Sequence, residues 1–327
     1  MKAILEIKDL SVVFHTFEGK IQALDRISFE VFPGETLGVV GESGCGKSVT
    51  ALAILRLIPT PPGEITNGSI NYRGKDILSL PSSEMCTVRG QKISMIFQEP
   101  MTSLSPVFTV GEQISEVYRQ HKKMKHREAM DQSIEMLKKV NIPEPQKVSR
   151  YYPHEMSGGM RQRAMIAMAL ACKPELLIAD EPTTALDVTI QAQVIDLIKG
   201  LQEEMGMSVI FITHDLGVVA HTAKRVVVMY MGRIVEEAVA TEIFGAPLHP
   251  YTLGLMNSIP RIGEKLRGAK QPLKEIKGVV PSLLKLPPGC KFLDRCGHVM
   301  EVCRQREPEL TMVEKDHRCR CWLHSAG

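Results

Sequence analysis

Residues 35–48 read ETLGVVGESGCGKS, and this stretch decides how the rest of the chain is interpreted. An apolar strand runs into a turn with three glycines, and a helix is predicted from about Lys47 to Leu57. Glycines let backbone N–H groups curl around phosphate oxygens, and the start of the following helix adds a favourable dipole. The stretch therefore predicts a phosphate-binding loop in an α/β core.

Two side chains of this loop have expected roles. The Lys47 ammonium should reach the β- and γ-phosphates of a nucleotide, and the Ser48 hydroxyl should bind Mg²⁺. At Cys45 only backbone contact is needed, so its thiol is expected to be incidental. The residues expected around the phosphates are Gly41, Ser43, Gly44, Cys45, Gly46, Lys47, Ser48 and Val49.

A second apolar strand ends in two carboxylates, in the segment LLIADE at 176–181. Asp180 is expected near the Mg²⁺, and Glu181 is expected to polarise an attacking water. A buried strand with a polar end is the alternative, but the phosphate loop in the same chain favours the catalytic interpretation.

The segment SGGMRQ at 157–162 predicts a helix that starts with exposed amides. Ser157 can cap this helix, while Gly158 and Gly159 leave its N-terminal amides bare for an anion. Because the first loop already supplies its own donors, this second anion site makes most sense facing a nucleotide held by another subunit. A plain helix cap is the alternative.

Taken together and in this order, the segments resemble those of ABC-type ATPases. The resemblance implies that Gln98, in IFQEP, contacts Mg²⁺ or water, so that Ser48, Gln98 and Asp180 surround the metal ion. It implies that Asp187, in the segment 185–187, crosses a dimer interface. It also places His214, in FITHD, near the γ-phosphate.

An aromatic side chain upstream of the loop should stack on adenine in this family. Phe14 is the first choice and Phe17 the reserve. With all these positions filled by competent residues, the resemblance implies active ATP hydrolysis.

Within the family, residues 157–193 and HPYT at 249–252 resemble the D-type ATPases of dipeptide/oligopeptide or nickel importers. Met160 departs from the Gln of many ABC ATPases but fits this group. The resemblance implies two membrane permease subunits, a second ATPase subunit of the F type, an extracytoplasmic binding protein acting indirectly, and a peripheral place at the cytoplasmic face of the inner membrane. Nickel import and a soluble ABC ATPase without a transport role stay as alternatives.

The tail carries five of the eight cysteines. Four thiolates can hold zinc or an iron–sulfur cluster, and uncoordinated thiols are the remaining alternative. The tail resembles an iron–sulfur module of some D-type subunits, which favours a [4Fe–4S] cluster. The implied ligands are Cys290, Cys296, Cys303 and Cys321, with Cys319 competing for the fourth position.

Composition limits the remaining classes. The 327 residues are 44% hydrophobic and 24% charged, with a formal net charge of +3, so a strongly basic nucleic-acid surface is not expected. The start lacks the apolar core of a signal peptide, and no apolar run approaches the roughly 18–20 residues of a membrane span. If the chain works at a membrane, it is expected to dock onto a partner.

The predicted fold is α/β, an ABC-type P-loop NTPase with a RecA-like core, an antiparallel β-subdomain and an inserted helical subdomain near 100–160. The nucleotide-binding domain is predicted over 1–258 and a small Cys-rich module over 259–327. Strands are predicted at 4–14, 21–32, 92–98, 175–180 and 208–213, with a hairpin at 225–238. The Pro- and Gly-rich stretch 59–67 is predicted to be a loop.

Overall fold

The computed structural model describes residues 2–98, 103–184, 186–258 and 276–324. The chain divides into two compact units. The first contains residues 1–5, 30–36 and 71–212, and the second contains 6–29, 37–70 and 213–327.

The strands and helices have the following bounds. The strands are β1 (Leu5–Thr16), β2 (Gly19–Val31), β3 (Thr36–Val40), β4 (Gly63–Tyr72), β5 (Lys75–Asp76), β6 (Ile93–Ile96), β7 (Leu176–Asp180), β8 (Ser208–Thr213), β9 (Arg225–Tyr230), β10 (Arg233–Val239), β11 (Thr311–Glu314) and β12 (His317–Cys319). The helices are α1 (Lys47–Ile54), α2 (Ser82–Val88), α3 (Val110–Lys122), α4 (His126–Lys139), α5 (Pro145–Val148), α6 (Gly158–Leu170), α7 (Val188–Met205), α8 (Leu216–Thr222), α9 (Ala240–Gly245), α10 (Pro250–Asn257) and α11 (Glu301–Gln305).

The first unit is built on three parallel strands in the order β6–β7–β8. All five residues of β7 are buried, which explains why its sequence is a continuous apolar run and not an alternating one. Helices α3 to α6 follow β6 along the chain. Helix α3 begins with a capping box in which the Thr109 side chain and Glu112 satisfy each other's backbone N–H groups.

The second unit contains a sheet with the strand order β11–β12–β10–β9–β3, in which β3 and β9 are parallel and the others antiparallel. It also contains most of a second sheet, with the strand order β2–β1–β4. Its core joins β9 and β10 to side chains of α10 and the tail, including Tyr230, Tyr251 and Phe292. The tail is therefore packed into the core of this unit.

Most sequence predictions for the elements are confirmed. The predicted strands at 175–180 and 208–213 and the hairpin at 225–238 are present as β7, β8, β9 and β10. In the described part of 100–152 the chain is helical and contains no strand. Helix α1 ends earlier than predicted, because Arg56 adopts a left-handed conformation (φ 51°).

The predicted loop over 59–67 is wrong in its second half. Strand β4 begins at Gly63 and pairs with β1, which is distant in the sequence. Three of its four exposed residues are polar and the fourth is glycine, so the strand shows no regular apolar alternation. Pairing with a distant strand overrides the local Pro/Gly signal. The predicted domain boundary near 258 stays a prediction, since residues 259–275 lie outside the described part.

In the portion of the chain that the structure covers, none of the helices has the length and apolar character needed to cross a membrane.

Candidate nucleotide site

The phosphate loop joins β3 to α1, and its glycines are required by its geometry. Gly41 has φ 152°, and a Cβ there would lie 2.2 Å from the Met229 carbonyl oxygen. Gly46 has φ 103° at the N-cap of α1, and a Cβ there would lie 2.8 Å from the Ala23 carbonyl oxygen. Because backbone oxygens cannot move aside as a flexible side chain could, only glycine fits at these two positions.

Lys47 is held inside this loop. Its side chain is buried, and Nζ donates to the carbonyl oxygens of Gly41 (2.7 Å) and Glu42 (3.1 Å). Two neutral carbonyls hold the ammonium in place without cancelling its charge, which leaves that charge available for phosphate oxygens.

The remaining loop residues differ in exposure. Cys45 is buried, and burial raises the pKa of its thiol, so the sulfur is neutral and matches the incidental role expected for it. Ser43 and Gly44 are exposed at the tip, and Ser48 and Val49 are half-buried in the first turn of α1.

The two carboxylates at the end of β7 have different surroundings. Asp180 is buried as the last residue of the strand. Glu181 follows it and is half-buried, and its Oε2 accepts hydrogen bonds from Gln98 Nε2 (3.1 Å) and from Thr184 Oγ1 (2.9 Å). The structure thus brings together Gln98 and Glu181, two predicted site residues that are distant in sequence.

Glu181 also has an uncommon backbone conformation. Its φ is 45°, in the left-handed region that residues other than glycine rarely adopt, and its N–H donates to the Ile212 carbonyl oxygen (2.9 Å). Such strain persists where the surroundings enforce it, and it concentrates at functional sites. Thr184 was missed by the sequence reasoning, and the only signal for it is its place three residues after Glu181.

The predicted anion-binding helix is α6. Ser157 caps it by accepting from the Met160 N–H (3.3 Å), and both Ser157 and Gly158 are exposed. A Cβ on Gly159 would lie 3.2 Å from Ile190 Cγ2, so this glycine lets α6 pass close to the start of α7.

One further contact joins α6 to the segment that follows β7, and a separate cap starts α7. The buried Gln162 donates from Nε2 to the Pro182 carbonyl oxygen, next to Glu181. Asp187 caps α7 by accepting from the Ile190 N–H (3.0 Å), which is a structural role beside its predicted one. Ala185, in the same predicted segment, lies outside the described residues.

The remaining predicted side chains are placed as follows. His214 is exposed and directly follows β8. Phe14 is half-buried near the end of β1, and its Cε1 would be 2.9 Å from a Cβ at Gly63. Phe17 is fully exposed between β1 and β2.

The four cysteines predicted as cluster ligands line one small cavity in the tail. Cys290, Cys296, Cys303 and Cys321 share its wall with aromatic and aliphatic side chains and with two histidines, while the buried Cys319 is not part of this wall. Burial raises the pKa of the Cys290 thiol to about 12 and that of Cys321 to about 11.

The cysteines nevertheless do not form a metal site as placed. Within the described ranges, no group of three or more His, Cys, Asp or Glu side chains lies close enough to hold a metal ion. The raised pKa values of Cys290 and Cys321 keep these two thiols neutral, and a neutral thiol packs as a small apolar group. The structure therefore gives no support for the expected [4Fe–4S] cluster beyond the shared cavity.

Sequence reasoning also missed the contacts that link the tail to the phosphate loop. Arg295 donates to both carboxylate oxygens of Glu42, and the Tyr251 hydroxyl accepts from the Glu42 N–H. Tyr251 belongs to the HPYT segment that was quoted only as a family marker. Arg295 and Glu42 belong to no motif that predicts their pairing.

Comparisons with known proteins identify the family of the chain. The family profile described as "ABC transporter" matches residues 24–184, and "Oligopeptide/dipeptide transporter, C-terminal region" matches residues 235–303. A probable peptide ABC transporter ATP-binding protein of Sinorhizobium fredii is 54% identical, over 98% of this chain and 94% of its own length. The oligopeptide transport ATP-binding protein AppD of Bacillus subtilis is 48% identical, over 99% of this chain and 98% of its own.

A solved structure is similar as well. The dimeric post-hydrolysis state of the ATP-binding cassette MJ0796, bound to ADP and Pi, superposes with a TM-score of 0.65 at 28% identity, over 72% of this chain and 98% of that one. The α/β fold is therefore that of an ABC ATPase cassette, and the family match supports ATP hydrolysis by the chain. The chain belongs to the ABC transporter family, as an ATP-binding protein of the oligopeptide/dipeptide transporter group.

Proposed function

We propose that this chain powers the import of di- or oligopeptides by hydrolysing ATP for partner membrane subunits. The observation that carries the proposal is the pairing of Gln98 with Glu181, which orients a carboxylate at the end of β7 in a chain that also has a complete phosphate loop. The printed names of the relatives, which concern peptide transport, support the choice of cargo. Nickel import is the alternative within the same architecture.

The proposed chemistry uses the residues of the loop and of β7. Loop N–H groups and Lys47 bind the phosphates of ATP, and Ser48, Gln98 and Asp180 would hold Mg²⁺, which supplies charge neutralisation. Glu181 accepts a proton from the attacking water. Hydrogen bonds from Gln98 and Thr184 orient the Glu181 carboxylate for this role.

Other residues complete the proposed site. His214 supports the charge on the γ-phosphate, and Phe14 stacks on adenine. Ser157, Gly158 and Gly159 face the nucleotide of a second subunit, with Asp187 at the interface. The start of α6 supports this role, because Ser157 and Gly158 are exposed there and a helix N-terminus attracts anions.

The proposed assembly has two ATPase subunits, this chain and a related F-type chain, docked on two membrane permeases, with an extracytoplasmic binding protein delivering the peptide. The chain would work as a peripheral protein at the cytoplasmic face of the inner membrane. We assign the nucleotide-binding domain to 1–258, with its helical subdomain near 100–160, and a C-terminal module to 259–327.

Transport is tested by producing the chain with candidate permease subunits and a candidate F-type ATPase and measuring uptake of labelled dipeptide, tetrapeptide and Ni²⁺. We expect co-purification with two membrane proteins and peptide uptake that Lys47→Ala abolishes. Uptake of Ni²⁺ alone would transfer the proposal to nickel. Recovery of the chain on ribosomes or DNA, without membrane partners, would overturn the transport role.

A second proposal is that the tail cysteines bind a [4Fe–4S] cluster through Cys290, Cys296, Cys303 and Cys321. Its support is that these four residues line one cavity walled by apolar side chains, whereas Cys319 lies apart on β12. Binding would have to draw the sulfurs closer than they lie now and deprotonate them.

The cluster is tested by anaerobic purification and assay of iron, acid-labile sulfide and zinc. We expect iron and sulfide in near-equal amounts, lost in Cys321→Ser and kept in the matched variant Cys319→Ser. The reverse pattern would make Cys319 the ligand. Zinc alone, or no metal, would remove the cluster and leave the ATPase role untouched.

A further inference from the structure

The tail holds the phosphate loop through an ion pair between Arg295 and Glu42. Arg295 lies in the single turn Leu293–Arg295 between two cavity cysteines, and its NH1 and NH2 atoms donate to the two Glu42 carboxylate oxygens at 2.6 and 2.9 Å. The Arg295 side chain is 3% exposed and that of Glu42 27%. A bidentate, largely buried ion pair of this kind fixes the orientation of the Glu42 carboxylate as well as its distance from Arg295.

The rest of the guanidinium is also engaged. Arg295 Nε donates to the Lys277 carbonyl oxygen (3.2 Å), and Cζ lies 5.8 Å from the centroid of the Tyr230 ring. The hydrogen bonds to Glu42 raise the pKa of Arg295 further above its usual value, so its charge is permanent. The side chain has no freedom left to serve another partner.

Glu42 also contacts Lys47, so it connects the Arg295 ion pair to the lysine that is proposed to bind phosphate. Its N–H donates to the Tyr251 hydroxyl (2.8 Å), and its carbonyl oxygen accepts from Lys47 Nζ (3.1 Å) and from the Cys45 N–H (3.3 Å). Side chain, N–H and carbonyl of one loop residue are thus all held, two of them by residues that lie beyond position 250.

The backbone that carries Arg295 is itself fixed by packing. The Phe292 ring is 3% exposed, with centroid distances of 5.3 Å to Tyr230 and 5.5 Å to Tyr251. Lys291 Nζ lies 3.1 Å from Asp25 Oδ2, which anchors the same segment to β2. Movement of this segment would therefore move the guanidinium relative to the loop.

We propose that Arg295 is a positioning residue for ATP binding, which holds Glu42 so that the phosphate loop is pre-formed before nucleotide arrives. A loop that is already ordered does not lose conformational entropy on binding, so the gain falls on ATP affinity and not on the chemical step. The inference rests on the loop's role in ATP binding and is independent of the cargo.

The test compares ATP KM and kcat in the full chain for wild type, Arg295→Met, Arg295→Lys, Glu42→Gln and the double variant Arg295→Met/Glu42→Gln. We expect Arg295→Met to raise KM by about five- to tenfold with kcat within about twofold, the signature of lost binding. Lysine keeps the charge but not the fork, so Arg295→Lys should recover part of the loss. The double variant should be no worse than the worse single one, since both remove the same contact.

Arg318→Met is the matched control. Arg318 also joins the tail to the core, but through Glu237 Oε2 (3.1 Å) on β10 and not through the phosphate loop. Its removal should lower thermal stability without changing KM. If Arg295→Met lowers stability and leaves KM at the wild-type value, the pair is only structural and the proposal fails.

Two milder variants still test the proposal if Arg295→Met does not fold. Glu42→Gln and Arg295→Lys preserve side-chain volume, and wild-type KM in both would equally overturn the proposal. Wild-type hydrolysis measured in parallel separates this outcome from failure of the ATPase role itself.

Discussion

The phosphate loop and the cysteine-lined cavity both gather polar groups into a small volume, but they are built in different ways. The loop comes from consecutive residues, and its shape is enforced by backbone atoms that exclude any side chain at Gly41 and Gly46. The cavity comes from cysteines spread over residues 290–321 and depends on how the tail packs on Tyr230 and Tyr251. A site of the first kind is specified locally, whereas one of the second kind depends on tertiary contacts.

The largest expected effect comes from breaking the local site. In Gly46→Ala the new Cβ would lie 2.7 Å from Leu24 Cδ2 and 2.8 Å from the Ala23 carbonyl oxygen, at φ 103°. The loop must shift, and a misplacement of about 1 Å costs about 100-fold in turnover. Steady-state ATP hydrolysis measures the loss.

Gly44→Ala is its control. Gly44 also has positive φ, at 80°, but no atom lies within 4 Å of the added Cβ. Only backbone strain of about 1–2 kcal/mol is expected, with a much smaller loss of hydrolysis. Equal losses in the two variants would contradict the view that steric exclusion shapes the loop.

The second effect tests the tail. In Gly289→Ala the Cβ would lie 2.1 Å from the Cys303 carbonyl oxygen, whereas in Gly297→Ala it meets open space. Overpacking of this kind costs about 1–3 kcal/mol, so thermal unfolding should detect the first variant and not the second. Because Cys303 lies on the cavity wall and the tail braces the loop, Gly289→Ala should also raise ATP KM. Identical unfolding of the two variants would contradict the packing described for the tail.

The smallest effect concerns the tail's anchor on β2. Burial alone would raise the pKa of Asp25, but attraction to Lys291 and Arg233 outweighs it, so the pKa lies below its usual 3.8. The charged carboxylate therefore contributes stability that is present above about pH 4 and is lost as pH falls through the folded-state pKa. Denaturant unfolding from pH 7 to pH 3 should show a loss that Asp25→Asn reduces. If Asp25→Asn loses as much stability between pH 7 and pH 3 as the wild type, the Asp25 ion pairs do not stabilise the fold.

The same contrast explains how far sequence reasoning reached. Lys47, Asp180 and Glu181 lie in contiguous motifs whose local geometry is fixed by glycines or by the end of a strand. Strand β4 was missed because its partner β1 is distant in the sequence. Arg295 and Glu42 are 253 positions apart and belong to no motif that predicts their pairing, so the pair could be found only from the structure.

The most direct test of the account is ATP hydrolysis by wild type, Glu181→Gln and Glu203→Gln, with nucleotide binding measured in the same preparations. Glu203 is an exposed carboxylate on α7 and serves as the matched control. We expect unchanged ATP binding in all three, with turnover reduced about 10²- to 10⁴-fold in Glu181→Gln alone, because the proton acceptor is lost. Wild-type turnover in Glu181→Gln would contradict the assignment of Glu181 as the catalytic base.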